Sequence, residues 1–489
     1  MSSKLLRTQM LTKVLPFVIW FLEIAFGFLS GMSSDPRIPL TTFMMLWMVG
    51  WWIFEVMPLG ITALIPMIFL PFMGLSSPKE VTPHYAHTVI YLFLGGFIVA
   101  RALEKTRMSE RIALEILKLT GKSDRGIVMG FGLATAFLSM WISNTATTVM
   151  MVPIAYSVMN FLKDNLEESQ KTSLPALSLV LYLTIAYSAN IGGIMTPVGT
   201  PPNVVFVGYL DQLYGVKIDF WKWMVAVIPP ALLVLFSMFT LLRKLYPYAV
   251  TLPDDFPQFI KRKLNDMGPL NSKQYVTLCV FALVAFLWIF KGVIHKLTGT
   301  SFLNDSSVAI LGGALLFLIP ARSEDPKSSW SAPLNEKDIS YLPWNIVLLF
   351  GGGMAMASAL KDAGLIQMAT DFFASMNISS PWMLIFSLAV MALFLTEIMS
   401  NVALCVVALP VVMNLGVASG LNPVLVGMPV ALCTSFAFMM PVSTPPNAIV
   451  FGTGEVRIKQ MMRAGVFLNI ISVLIVMTVG WGLINGLLL

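Results

Sequence analysis

Long, nearly uncharged runs recur along the chain, separated by short polar stretches. They fall at about 14–31, 40–56, 58–75, 88–105, 126–160, 176–209, 220–242, 273–291, 305–321, 341–360, 381–415, 422–452 and 462–487. About 20 apolar residues in a helix cross a hydrocarbon core of ~30 Å, so an ordinary run reads as one crossing. Runs 126–160 and 381–415 are too long for a single span, and Ser-Asn interrupts each near its middle. They read as re-entrant helical hairpins, because irregular backbone at that depth is tolerated only when buried in protein or facing a water-filled cavity. The pattern predicts an all-α polytopic membrane protein of about 11 transmembrane helices plus two re-entrant hairpins.

The polar words inside the apolar runs occur twice. Ser143-Asn144-Thr145 is followed by Pro153, and Ser400-Asn401-Val402 by Pro410, at a shift of 257 residues without a gap. Gly199-Thr200-Pro201-Pro202-Asn203 recurs as Ser443-Thr444-Pro445-Pro446-Asn447 at a shift of 244. Register kept across polar words marks an internal repeat. The expected division is 1–250, with hairpin 126–160 and broken helix 176–209, and 251–489, with hairpin 381–415 and broken helix 422–452. An odd number of crossings separates the copies, so the repeats must be inverted in the membrane.

Composition agrees with a membrane protein: hydrophobic residues are 57% of 489 positions and charged residues 11%, against roughly 25% charged in soluble domains. The surplus of basic charge is therefore a matter of topology. Loops that lie inside when the N-terminus is cytoplasmic hold 24 of the 31 Lys and Arg, as the positive-inside rule requires. This places the C-terminus outside, and the short loops favour a bacterial inner (plasma) membrane. No basic groove with interleaved aromatics suggests nucleic acid. Cys279, Cys405 and Cys433 stand in apolar segments at no metal-ligand spacing and read as small core residues. His84, His87 and His295 are assigned to external loops, and no catalytic triad, Walker phrase or zinc-protease motif occurs. Charged, amphipathic stretches at 104–118 and 361–375 read either as solvated connectors or as rigid arms between a frame and a moving part.

The repeated words carry the chemistry. A Ser-Asn tip leaves the first N–H groups of the returning half-helix without intrahelical partners, and these attract an anion. The carbonyls ending the entering half-helix, with Ser and Asn side-chain oxygens, suit a hard monovalent cation. Thr-Pro-Pro breaks a second helix to the same effect. Glu397, three residues before Ser400, reads as half of a buried ion pair or as a contributor to cation affinity. Glu23 and Glu55 read as interface or packing charges.

Trp52-x-x-Glu55-x-x-Pro58, Thr62-Ala63-Leu64, Ser143-Asn144-Thr145, Thr396-Glu397 before Ser400-Asn401, and both Thr-Pro-Pro-Asn phrases resemble the divalent anion–sodium symporter family of di- and tricarboxylate and sulfate transporters. The resemblance covers nearly the whole chain. It implies a homodimer with a fixed scaffold and a transport domain moving as an elevator. It places substrate at Ser143, Asn144, Thr145, Thr200, Pro201, Ser400, Asn401, Val402, Thr444 and Pro445. It places one sodium ion at Ser139, Ser143, Asn144 and the Gly199 backbone, and another at Thr396, Asn401 and backbone near Met399 and Ser443. Val402 departs from the family pattern, which has Thr there.

The reading is a secondary active transporter taking up C4-dicarboxylates such as succinate, fumarate and malate with sodium, without cofactor beyond Na⁺ as coupling ion. Alternatives within the class are a sodium-independent exchanger and a sodium-coupled sulfate or tricarboxylate carrier. A polytopic membrane enzyme would need clustered His, Asp or Glu, and the chain has only isolated acids.

Overall fold

The computed structural model describes residues 35–299, 304–322, 330–374 and 380–488. The expected first span at 14–31, with Glu23, lies outside them. Helices dominate, as the apolar runs require. Besides short turns at Pro78–Val81 and Glu168–Lys171, in chain order they are α1 (Arg37–Ile53), α2 (Leu59–Thr62), α3 (Ile65–Phe72), α4 (Thr88–Lys105), α5 (Met108–Thr120), α6 (Asp124–Ser139) and α7 (Asn144–Asn165). Then follow α8 (Leu174–Gly193), α9 (Pro201–Tyr214), α10 (Phe220–Leu245), α11 (Phe256–Asp266), α12 (Ser272–Thr298) and α13 (Asp305–Leu318). The rest are α14 (Trp344–Asp362), α15 (Leu365–Ala374), α16 (Pro381–Leu395), α17 (Asn401–Ala418), α18 (Pro423–Thr434), α19 (Pro445–Gly452), α20 (Ile458–Ile475) and α21 (Trp481–Leu487). Among the described residues, 8 helices are long and apolar enough to cross a membrane, and shorter apolar helices at Leu59–Phe72, Asp305–Leu318, Trp382–Leu395 and Pro423–Thr434 accompany them.

Several boundaries differ from the sequence reading. The run 58–75 is divided at Ala63 and Leu64, with Pro66 entering the first turn of α3. The runs 176–209 and 422–452, read as broken helices, are each two helices, separated by seven non-helical residues, 194–200, and by 435–444. α12 continues past the expected end at 291 to Thr298, so Lys291 and His295 are helical rather than in a loop. The reason is charge pairing: buried Lys291 meets Asp219 at 2.7 Å and Asp305 at 2.8 Å. Cys279 is exposed, against expectation, while Cys405 and Cys433 are buried. A two-residue hairpin ladder, β1 (Ala321–Arg322) with β2 (Trp330–Ser331), interrupts the all-helical pattern.

The core runs along α8, which is buried on nearly every face, as expected of a helix that is apolar all round. α8 packs on α6, α7, α10 and α19. α18, its counterpart in the second half, is buried as completely and packs on α16, α17 and α9. The connections cross between halves. α7 lies against α19, and α17 lies against α9, where the Tyr209 hydroxyl donates to Val406 O at 3.0 Å. Close approach is bought with small residues: a Cβ on Gly192 would sit 2.3 Å from Ala136 O, and one on Gly427 2.6 Å from the Phe206 ring.

Candidate anion and cation site

α6 ends at Ser139, and Ser143 caps α7 by accepting from Ala146 N at 3.3 Å. α16 ends at Leu395, and Ser400 occupies the same capping position before α17 without a side-chain capping bond. Thr200 and Thr444 cap α9 and α19, both in extended backbone, with the two prolines opening each helix. Proline is suited to that first turn, where its missing N–H costs nothing. Four helix starts thus meet in one region.

They line one cavity of about 930 Å³. Ser143, Asn144, Thr145, Thr200, Pro201, Ser400, Asn401, Val402, Thr444 and Pro445, every expected substrate residue, stand on its wall, as do Gly199, Met399 and Ser443. Ser139 and Thr396 do not; both are buried directly behind it. The wall also includes Trp52, Glu55, Phe97, Arg101, Glu104 and Tyr341, of which Glu55 and Tyr341 are exposed. Glu55, expected as an interface or packing charge, is exposed in left-handed backbone at φ 48°. Arg101 is the one basic residue among the described lining residues. It is occupied by Asp338 at 3.2 Å and by the Tyr341 ring at 4.2 Å.

Behind each tip, three oxygens converge on one proton. The Ser139 hydroxyl lies 2.7 Å from Asn144 Oδ1 and 2.8 Å from Ala189 O. The Thr396 hydroxyl lies 2.6 Å from Asn401 Oδ1 and 2.7 Å from Thr434 O. A hydroxyl has one proton to donate, so each cluster is left with surplus lone pairs. Beside the first, a Cβ on Gly199 would fall 2.5 Å from Gly193 O, 2.9 Å from Ser139 O and 3.0 Å from Met140 O. Glycine here leaves a small space faced by three carbonyls. Oxygen-rich, proton-poor pockets without a carboxylate match a monovalent hard cation. Among the described residues no group of three or more His, Cys, Asp or Glu could hold another metal.

The two helix breaks are tied differently. In the first half the Thr196 hydroxyl donates to Met140 O and accepts from Gly199 N at 3.1 Å. In the second half Glu397 does this work. Its Oε1 accepts from Phe438 N (2.8 Å), Met439 N (3.0 Å) and Asn469 Nδ2 (2.8 Å), and its Oε2 from Met439 N and Met440 N (both 3.1 Å). Of the two readings of Glu397, the ion pair is absent among the described residues: the partners are backbone N–H groups and the Asn469 amide, which offset a buried carboxylate as a basic side chain would. Asn203 and Asn447 repeat one role, each donating to carbonyls of its own break.

Asn190 escaped the sequence reading. It is fully buried, lines the cavity and reaches across halves to Ala437 O at 3.2 Å and Thr444 Oγ1 at 3.3 Å. It shares its apolar run with other isolated polar residues such as Thr184 and Ser188, and no repeated phrase signals it.

Membrane-length helices around a central cavity of broken-helix ends and unshared oxygens define a polytopic membrane transporter. The chain belongs to the family described as the sodium:sulfate symporter transmembrane region, which matches residues 4–488. The sodium-dependent dicarboxylate transporter SdcS of Staphylococcus saprophyticus is 36% identical over 452 residues, covering 91% of this chain and 85% of the relative. SdcS of Staphylococcus aureus (strain USA300) is 36% identical over 447 residues, covering 89% and 84%. Among solved structures, the YdaH transporter of Alcanivorax borkumensis aligns at a TM-score of 0.56 and 14% identity, over 83% of this chain and 88% of that one. MtrF of Neisseria gonorrhoeae aligns at 0.57 and 11%, over 94% and 97%. At such identities these two speak for the fold alone.

Proposed function

We propose that the protein takes up C4-dicarboxylates with sodium, binding the dianion between the tips at Ser143–Thr145 and Ser400–Val402 and one cation behind each. The observation that carries this reading is the pairing of a cavity wall without a free basic side chain and two oxygen clusters short of protons. Neutral N–H and hydroxyl donors alone hold a dianion poorly. A cation about 4 Å from a carboxylate contributes on the order of 4 kcal/mol at the dielectric of a partly buried site. Asn144 and Asn401 each face the cavity and bond back into a cluster, so one side chain serves cation and anion together. The SdcS relatives, named as sodium-dependent dicarboxylate transporters, support the same substrate pair.

The two halves act as inverted repeats, with α6–α7 and α16–α17 as re-entrant hairpins opening to opposite faces. With the N-terminus cytoplasmic, in a bacterial plasma membrane, the mouth at Glu55, Arg101 and Tyr341 faces the cytoplasm. A homodimer with a fixed frame would carry the site across as an elevator.

Labelled succinate uptake into proteoliposomes tests the reading. Uptake driven by a sodium gradient, and lost when choline replaces Na⁺, is the expected result; equal uptake in choline rejects symport. Asn144→Ala and Asn401→Ala should each abolish uptake in protein that still elutes as a folded species. Competition by fumarate and malate, but not sulfate or citrate, is expected, and preferential competition by sulfate would reassign the anion.

A further inference from the structure

Asn190 carries a side-chain hydrogen bond from one half of the chain to the other inside the cavity wall. Its Oδ1 faces Asn144 Nδ2 at 3.5 Å, and its Nδ2 donates to Ala437 O and to Thr444 Oγ1. One residue past the paired acceptors Ala189 O and Thr434 O stand Asn190 in the first half and Ser435 in the second. Ser435 is too short to reach across, and its buried hydroxyl has no hydrogen-bond partner among the described residues. The bridge therefore runs one way only.

Its chemical consequence lies at Thr444. That hydroxyl accepts from Asn190 Nδ2 at 3.3 Å and from Asn447 N at 3.4 Å. With both lone pairs engaged, its proton is left to donate into the cavity that Thr444 lines. Asn144 is a member of the first cation cluster. A cation on its Oδ1 polarises the amide and makes its NH₂ a stronger donor, and the 3.5 Å bond to Asn190 has room to shorten.

We propose that Asn190 is a positioning residue that couples occupation of the first cation site to anion capture by Thr444 in the opposite half, a role that rests on the site assignment above. Binding at one end strengthens binding at the other, and the coupling is reciprocal.

The test uses purified full-length protein and the ratio of sodium half-saturation without succinate to that with saturating succinate, read by thermal shift. The wild type should give a ratio on the order of 5 or more, the low end of ordinary coupling. Asn190→Ala should bring the ratio toward 1 and raise the succinate concentration needed. Thr444→Val should do the same, and the double variant should be no worse than either alone. If Asn190→Ala does not fold, Asn190→Ser takes its place. A purely structural Asn190 would lower the melting temperature and leave the ratio intact, which overturns the coupling. If Asn144→Ala keeps full sodium-dependent uptake, the site assignment itself fails; if Asn144→Ala is inactive while Asn190→Ala keeps the ratio, only the coupling fails.

Discussion

At the scale of single residues, the tips differ where Thr145 in one is matched by Val402 in the other, and both line the cavity. A hydroxyl given to the second tip adds a hydrogen bond to a charged acceptor, worth about 1.5 kcal/mol or more. Val402→Thr should therefore lower the half-saturating succinate concentration roughly 10-fold in uptake assays, and an unchanged value would remove position 402 from the anion's contacts. Gly199 makes a sharper case. A methyl there would occupy the space between the carbonyls of Gly193, Ser139 and Met140, so Gly199→Ala should abolish sodium-dependent thermal stabilisation arising from the first cluster. Full sodium response in that variant would place the cation elsewhere. These positions were legible because they belong to phrases written twice. Asn190 was not, since its partner Thr444 is 254 residues away and nothing local distinguishes it. Glu397 stood out as a buried acid, but a carboxylate whose partners are main-chain N–H groups leaves no complementary charge for a sequence to display.

At the scale of elements, a broken helix needs something to hold its loose ends. The first break uses a threonine hydroxyl and the second a carboxylate with four backbone bonds. Glu397→Gln would turn an amide NH₂ toward main-chain donors and should cost about 3 kcal/mol, seen as a lower midpoint in thermal unfolding; a stability equal to wild type would mean the break holds itself. The apolar runs located nearly every helix, yet they misplaced the ends wherever a charge is drawn inward. Lys291 continues α12 because Asp219 and Asp305 receive it. Lys291→Met leaves those two carboxylates facing one another, and the loss of a buried partner typically costs 3–5 kcal/mol. Restoration of stability by adding Asp305→Asn would identify repulsion as the cause.

At the scale of the whole molecule, Asp338 pins the segment before α14 to α4 through Lys105 at 2.5 Å and Arg101 at 3.2 Å. Burial alone would raise its carboxyl, but Lys105, the Asn335 backbone and Arg101 together hold it below the usual value. A depressed pKa stabilises the folded state fully above the unfolded value near 4 and ceases to do so as the pH falls through the folded value. Stability should therefore fall less steeply in Asp338→Asn than in wild type as the pH drops from about 5 to 2, measured by fluorescence-detected unfolding. Loss of the pair at neutral pH should also free Arg101 at the cavity mouth.

The exchange of helices between halves, α7 against α19 and α17 against α9, bears on how the protein is made. When the ribosome has delivered residues 1–250, the face of α9 that receives Val406 and the face of α7 that receives α19 are still bare, because their partners have not been synthesised. The first half must wait in the bilayer with polar groups such as the Asn190 amide NH₂ and the Tyr209 hydroxyl unengaged. Each half expressed alone should be degraded, whereas the two fragments produced together should assemble, since what each lacks is carried by the other.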